Sequence, residues 1–571
     1  MEISAIWAVG LCLFLARHGI EAEASYPSCR NLQSNPTEQP YRTAYHFQPP
    51  KNWMNGPMYY NGVYHLFYQY NPYAAVWGNI TWAHSISYDL VNWVHLDHAL
   101  NPTDPFDING CWTGSATILP GEEPVIIYTG ADTQNRQVQN MAVPKNISDP
   151  LLREWIKSPR NPLMSPTNGI DANNFRDPTT AWQGPDKVWR IIVGSLINDH
   201  GTALLYRSRD FVNWTKSQTP LHSSNKTGMW ECPDFYPVST RTGVETSVQN
   251  ADTQHVLKAS FNGNDYYIIG KYVPETDTYL VETDFLDAGS DLRYDYGEFY
   301  ASKTFFDAAK KRRILWAWIQ ESDSSSADIE KGWSGLQSIP RSVLLDQTGR
   351  QLVQWPIKEI EELRENQVTL LNKEVRGGSV LEVPGITASQ VDVEVSFDFP
   401  HFKEAEVLDP SWVDPQLLCT QKNASVKGSI GPFGLLVLAS KDLTEQTAIF
   451  FHIFKTHNKK YVVLMCSDQS RSSVRQDVDK TSYGAFVDID PLREKISLRG
   501  LIDHSIVESF GGEGRSCITA RVYPELAINK EAHLYVFNNG TQSVKISRLD
   551  AWSMKKAEIV PTNRRRNSHF N

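Results

Sequence analysis

Asn55-Gly56-Pro57-Met58-Tyr59-Tyr60, then Asn61-Gly62, then Val63 through Tyr70: a strand, a two-residue turn and a second strand rich in aromatic and branched residues. Asn-Gly between two such runs is a strong hairpin signal, because both turn positions need positive φ. The unit recurs. A second opens at Trp112-Thr113-Gly114, turns near Gly121 and returns as Val125-Ile126-Ile127-Tyr128. A third opens at Arg176-Asp177-Pro178, turns at Gly184-Pro185-Asp186 and returns from Val188 to Val193. A fourth opens at Trp230-Glu231-Cys232-Pro233-Asp234 and holds Val256 to Phe261 and Tyr266 to Ile269 around Asn-Gly-Asn. A fifth opens at Phe299-Tyr300-Ala301 and returns as Arg313-Ile314-Leu315-Trp316. Long helical periodicity is nearly absent, so the chain reads as all-β, and five such units predict a five-bladed β-propeller. The innermost strands of a propeller run along a central channel. Residues that open them gather at one mouth, which would bring Asp177 and Glu231 together.

A further echo links Asp89-Leu90-Val91-Asn92-Trp93 to Asp210-Phe211-Val212-Asn213-Trp214, at equivalent outer-strand positions. Ile357 to Asn366 is charged and helical in character and reads as a linker. Short strands then recur: Val391 to Phe399, Phe433 to Leu438, Ile449 to Phe454, Tyr461 to Met465 and Leu534 to Phe537. They predict a β-sandwich, serving either as structural support or as a sugar-binding accessory module. The expected organisation is a signal peptide over 1–24, the propeller over 41–360 and the sandwich over 371–556.

Charge and composition exclude several classes. A formal charge of −10 and a pI near 5.9 argue against nucleic acid as a partner. The basic run Arg564-Arg565-Arg566 reads as a solvated tail. Ile3 to Ala16 is apolar but short for a membrane span, and Ala22-Glu23-Ala24 offers small residues for cleavage, so a secretory signal is expected, with Glu2 an unusual start. No membrane attachment is expected after its removal. Six N-x-S/T sequons, at Asn79, Asn146, Asn213, Asn225, Asn423 and Asn539, fit a glycosylated product. Cys12 leaves with the signal; of the remaining six, Cys419 and Cys466 fall in one region and could pair. No ligand spacing supports a metal or other cofactor.

Glycoside hydrolysis needs two carboxyl groups flanking the scissile bond, one serving as acid and then base, the other, in retaining enzymes, as nucleophile. Glu231 lies between Trp230 and Cys232 with Asp234 nearby, and Asp177 follows Arg176. Taken alone, neither stretch decides: Arg176-Asp177 reads equally as an ion pair or a turn, and any tryptophan as core. Taken together, His46-Phe47-Gln48-Pro49-Pro50-Lys51-Asn52-Trp53-Met54-Asn55, Phe175-Arg176-Asp177-Pro178, Trp230-Glu231-Cys232-Pro233-Asp234 and Lys331-Gly332-Trp333-Ser334-Gly335 resemble the plant acid invertases and fructan exohydrolases of glycoside hydrolase family 32, from about Tyr41 to Met554. The resemblance implies a propeller followed by a sandwich and retaining cleavage of terminal β-fructofuranosyl units. It implies Glu231 as acid/base, Asp177 as transition-state stabiliser, Arg176 as its positioner, and Trp53, Asn55, Gln69, Trp77, Trp112 and Thr113 as fructose-pocket residues. Trp77 and Trp112 would be apolar walls; Asn55 and Gln69 would bond hydroxyls.

One departure stands out. The family reads W-M-N-D-P-N-G-P-M where this chain reads Trp53-Met54-Asn55-Gly56-Pro57-Met58. Asp-Pro-Asn is missing, and its Asp is the nucleophile. Plant genes of this family often encode the tripeptide in a very small exon, so its loss fits a gene-model artefact or a non-catalytic isoform. The shortening is expected to be absorbed in the loop around Gly56-Pro57. Sucrose preference in the family goes with an Asp-Lys couple in a blade-four loop; Ser260-Phe261-Asn262-Gly263-Asn264-Asp265 is short and shows no clear one, which points toward exohydrolase activity in the parent enzyme while invertase and exohydrolase both stay open. The expected partners are sucrose or fructan as substrate, with a proteinaceous inhibitor as a further candidate. Pro233 resembles the cell-wall type, so the apoplast is expected, with the vacuole as alternative.

Overall fold

The computed structural model describes residues 39–49, 55–167, 169–248, 253–286, 292–399 and 401–561, with Asn55 described for its backbone alone. The expected signal segment 1–24 and Trp53 lie outside the described residues.

Five antiparallel sheets form the propeller. Blade one runs outward through Asn55–Tyr60, Val63–Tyr70, Thr81–Ser87 and Trp93–His95. Blade two runs through Cys111–Leu119, Glu123–Ala131, Gln137–Pro144 and Trp155–Lys157. The inner strand of blade three is split into Phe175–Arg176 and Trp182–Gln183, both paired with Trp189–Ile197, and His200–Ser208 follows. Blade four runs through Glu231–Val238, Gln254–Phe261, Asn264–Val273 and Thr278–Val281. Blade five runs through Tyr300–Asp307, Arg312–Ile319, Arg341–Leu345 and Leu352–Pro356. The inner strand of blade one packs against those of blades two and five, which closes the ring. Middle strands such as Val63–Tyr70 are buried throughout, because a neighbouring blade covers each face. They therefore read as continuous apolar runs rather than alternating ones.

The repeated Asp-x-Val-Asn-Trp stretch is one turn built twice. Asp89 Oδ1 accepts from the Val91 and Asn92 amides, and Asp210 Oδ1 from those of Val212 and Asn213. Each second residue, Leu90 and Phe211, takes positive φ (65° and 64°), and each turn leads into the blade's outer edge.

The sandwich pairs a six-stranded sheet, including Gln390–Asp398 and Ile496–Asp503, with a seven-stranded one, including Phe433–Ala439, Thr447–Lys455 and Tyr461–Asp468. Val393, Leu498, Phe433 and Ile449 meet in the core between them. The stretch expected as linker contains a 3₁₀ turn, Lys358–Leu363, but from Arg364 it is already strand: Arg364–Val375 pairs along Val544–Met554. Cys419 and Cys466 form a disulfide that fixes the short helix Pro415–Gln421 on Tyr461–Asp468. The chain then returns to the propeller, where Ile559–Pro561 pairs in parallel with Trp93–His95. Asn79, Asn146, Asn213 and Asn225 are exposed, whereas Asn423 and Asn539 are half-buried. The Asn539 amide donates to the Ala424 carbonyl at 3.2 Å.

Candidate active site

The inner strands of blades two to five open irregularly, and these openings come together around one cavity. In blades two, four and five the ladder shifts register, between Cys111 and Gly114, Glu231 and Asp234, and Tyr300 and Lys303. Asp177, Cys232 and Ala301 carry left-handed φ of 64°, 43° and 54° there. Bulges and such backbone turn a side chain out of the strand's alternation, and they persist only where surrounding contacts over-determine them. Gly114 fits its bulge because a Cβ would sit 2.1 Å from the Ile127 carbonyl oxygen. Blade one differs. Asn55 to Tyr60 pairs with Val63 to Tyr68 without interruption, so Gly56 and Pro57 are ladder residues and not the loop expected there.

The bulged openings line a cavity of about 340 Å³. Gln69, Trp77, Trp112, Thr113, Arg176, Asp177 and Glu231, all expected from sequence, line it together. The Trp77 and Trp112 rings meet edge to face at 5.5 Å, and Trp77 is 59% exposed, so it forms the rim. Gln69 donates to the Thr113 hydroxyl. Arg176 spans the floor: Nη2 bonds Glu231 Oε1 at 2.7 Å, Nη1 bonds the Asn173 carbonyl at 2.9 Å, and Nε lies 3.9 Å from Asp177 Oδ2. Asp177 Oδ2 accepts from the Cys232 amide at 2.8 Å, and the Asp177 amide donates to Thr129 Oγ1 at 2.8 Å.

These contacts divide the two acids. Asp177 is 4% exposed; burial pushes its carboxyl above the usual range, the Arg176 guanidinium opposes this, and the Glu231 charge adds to it. The Glu231 side chain is one-third exposed and its Oε2 accepts from the Tyr300 hydroxyl. Burial and the Glu231 carboxylate together hold that phenol well above its ordinary value, so it stays a donor. Asp234, close to Glu231 in sequence, is not its charged partner: the Asp234 carboxylate turns to the Thr304 amide and hydroxyl at 2.8 and 2.7 Å, and Trp230 is fully buried against Phe285. Asp177 and Arg176 are the charged neighbours instead.

Gln137, Tyr300 and Trp318 also line the cavity and were not singled out from sequence. Gln137 Oε1 accepts from the Phe175 amide at 2.9 Å, which sets the strand that carries Arg176. Tyr300 had a signal: it opens blade five as Glu231 opens blade four. Outside the pocket, the carboxylates of Glu321, Asp323 and Asp328 converge, but Lys331 pairs with all three and Arg521 with Glu321, so side-chain cations already fill that cluster.

Two carboxylates from adjacent blades, held by one guanidinium under an indole-walled opening, are equipment for a glycosidic bond, and they place the chain among glycoside hydrolases. Comparison with known proteins narrows this. The profile of the Glycosyl hydrolases family 32 N-terminal domain matches residues 46–356, and that of the family's C-terminal domain matches 359–553. The chain belongs to glycosyl hydrolase family 32 and is by family a glycosidase. It is 57% identical to the cell-wall isozyme of beta-fructofuranosidase from Pisum sativum, over 94% of this chain and 99% of that one. It is also 57% identical to the fructan 6-exohydrolase of Beta vulgaris, over 94% of this chain and 90% of that one. The crystal structure of fructan 1-exohydrolase IIa from Cichorium intybus superposes with a TM-score of 0.90 at 60% identity, covering 92% of this chain and 99% of that one. That enzyme has also been solved, as a variant, with 1-kestose.

Proposed function

We propose that this chain has the frame of a β-fructofuranosidase or fructan exohydrolase but lacks its nucleophile, so that it binds terminal fructose and barely turns it over. The carrying observation is at the mouth. Blades three and four contribute Asp177 and Glu231 to the pocket, while the blade-one strand begins at Asn55-Gly56-Pro57, and the sequence Trp53-Met54-Asn55-Gly56-Pro57 holds no acid. In the working family arrangement, Glu231 protonates the leaving oxygen as the nucleophile closes a fructosyl ester, and then takes a proton from water. Asp177 holds fructose hydroxyls and Arg176 keeps both acids in place. An Asn at the strand opening cannot substitute, because a neutral amide is a poor nucleophile.

The same pocket favours a second reading, a sugar-binding or regulatory isoform. Trp77, Trp112, Gln69, Thr113 and Asp177 remain assembled without the nucleophile, and binding draws on stacking and hydrogen bonds spread over many residues. The relatives named for the cell wall, together with Pro233, favour the apoplast over the vacuole. Among the described residues no helix is long and apolar enough to cross a membrane.

Three purified proteins test the proposal: the chain as it stands, a version with Asp-Pro-Asn inserted between Asn55 and Gly56, and one with Ala-Pro-Asn. The first and third should release fructose from sucrose and 1-kestose some 10⁴–10⁶-fold more slowly than the second, the usual cost of removing a central catalytic group. Rapid turnover by the chain as it stands would show that another group serves as nucleophile.

A further inference from the structure

Two lysines lie buried against the backbone of the inner strands, Lys258 at 0% and Lys303 at 3% exposure, and neither lines the pocket. Lys258 Nζ donates to the carbonyl of Cys232 at 3.1 Å, to that of Ser302 at 2.8 Å and to Ser260 Oγ at 2.6 Å, and pairs with Asp265 Oδ2 at 3.1 Å. Asp265, equally buried, accepts from the Ala301 and Ser302 amides at 3.1 and 2.7 Å and from Ser260 Oγ at 2.5 Å. Cys232 follows Glu231, and Ala301 follows Tyr300. The four backbone groups held by this one ion pair therefore belong to the two bulges that present Glu231 and Tyr300. Lys303 adds a cross-link between blades three and four, with Nζ on the carbonyls of Pro233 at 2.9 Å and Pro178 at 3.4 Å.

A buried ion pair is weak evidence of stability, since apolar residues of similar volume often serve as well or better. The directed contacts are what distinguish this one. The ammonium group spends its donors on carbonyls that a strained backbone has turned inward, and the carboxylate takes the amides that the same strain leaves unpaired. We infer that the Lys258–Asp265 pair is a positioning element for the reaction, setting the Glu231 carboxylate against the Tyr300 hydroxyl through the backbone, without touching the sugar. The inference rests on Glu231 being the acid/base.

The test uses Lys258→Met, Asp265→Asn and the double variant in two backgrounds. In the chain as it stands, hydrogen exchange of peptides spanning 231–234 and 300–303 should quicken by roughly tenfold or more in each variant, while outer-strand peptides keep their protection. In the chain carrying the inserted Asp-Pro-Asn, kcat on 1-kestose should fall by roughly 10- to 100-fold with KM within about threefold, and the double variant should be scarcely worse than either single one, since groups acting as a unit are not additive. Should Lys258→Met fail to accumulate, Asp265→Asn, which keeps the shape and removes the charge, carries the same expectation. Unchanged exchange at the two bulges, a rise in KM with kcat preserved, or multiplicative single effects would overturn the inference. If the inserted chain is itself inactive, the reading of Glu231 fails separately and the exchange measurement still decides whether the pair braces both bulges.

Discussion

Asp177 combines a buried carboxylate, a left-handed backbone and an amide donor from the next blade, and each condition depends on the others. Its backbone is tied to Thr129 in blade two and its side chain to Cys232 in blade four, so its direction is set by three blades. A carboxylate held this way is suited to accept hydrogen bonds from sugar hydroxyls, and it can do so fully while ionised. Because burial and the nearby Glu231 charge raise its pKa, with Arg176 opposing, acidification should neutralise it sooner than an ordinary aspartate. Binding of 1-kestose to the chain as it stands, followed calorimetrically, should weaken as pH falls from about 7 to about 4, across the usual carboxylate range. Asp177→Asn should cost roughly 10- to 100-fold in affinity, the worth of a hydrogen bond to a charged group, and should reduce the pH slope. An Asn variant that keeps the parent's affinity would remove Asp177 from the sugar site.

Among the elements, the hairpin joining Gln254–Phe261 to Asn264–Val273 carries the specificity expectation drawn from the sequence. Phe261 pairs with Asn264, leaving Asn262 and Gly263 as the entire turn, at φ 49° and 74°. Two residues with both φ positive make a tight turn that follows the strand twist. It projects no side chain pair of the Asp-Lys kind over the mouth, and the acid that ends this stretch, Asp265, points inward to Lys258. With Asp-Pro-Asn inserted, the chain should therefore release fructose from small inulin- or levan-type oligomers at rates comparable to sucrose. Strong sucrose hydrolysis with no turnover of such oligomers would contradict this. The strand-turn-strand units that fix the blades were legible because turn chemistry is local: Asn61-Gly62 and Asn262-Gly263 need no tertiary contact to be read. Register was less legible. Asn55 to Tyr60 reads as a strand and is one, but the loop expected around Gly56-Pro57 to absorb the shortening is not there; Pro57 is tolerated in the ladder because an innermost strand has one free edge. Tyr300 was visible as the opening of blade five, but its hydrogen bond to Glu231 depends on tertiary placement, and the bulge between Glu231 and Asp234 separates two acids that are neighbours in sequence.

At the scale of the whole molecule, the propeller and the sandwich are joined through buried charge. Asp503, in the sandwich, accepts the amides of Ala44, Tyr45 and His46 at 2.7, 2.8 and 2.9 Å and the His46 Nδ1 at 2.9 Å. His46 Nε2 faces Glu508 at 3.2 Å, and Arg341 of blade five bridges Glu508 and Asp295. All five side chains are fully or almost fully buried. Burial alone would depress the His46 pKa, but the two carboxylates override it and raise it; against burial, His46 holds Asp503 low, and the Arg341 guanidinium, with His46, holds Glu508 low. A raised histidine stabilises fully below its unfolded value near ~6.5 and loses that contribution as pH climbs through the folded value. The depressed acids stabilise above their unfolded values near ~4 and lose it as pH drops through the folded ones. Thermal stability should therefore peak between about pH 4.5 and 6.5 and decline on the alkaline side as His46 is deprotonated between two carboxylates. His46→Gln keeps one amide donor but no charge; it should lower the melting temperature at pH 5.5, with a cost of about 3–5 kcal/mol for breaking a buried pair. It should also flatten the decline toward pH 8. Scanning calorimetry of both proteins across this range measures the difference, and a variant whose melting temperature falls with pH as steeply as the parent's would show that His46 does not govern the joint.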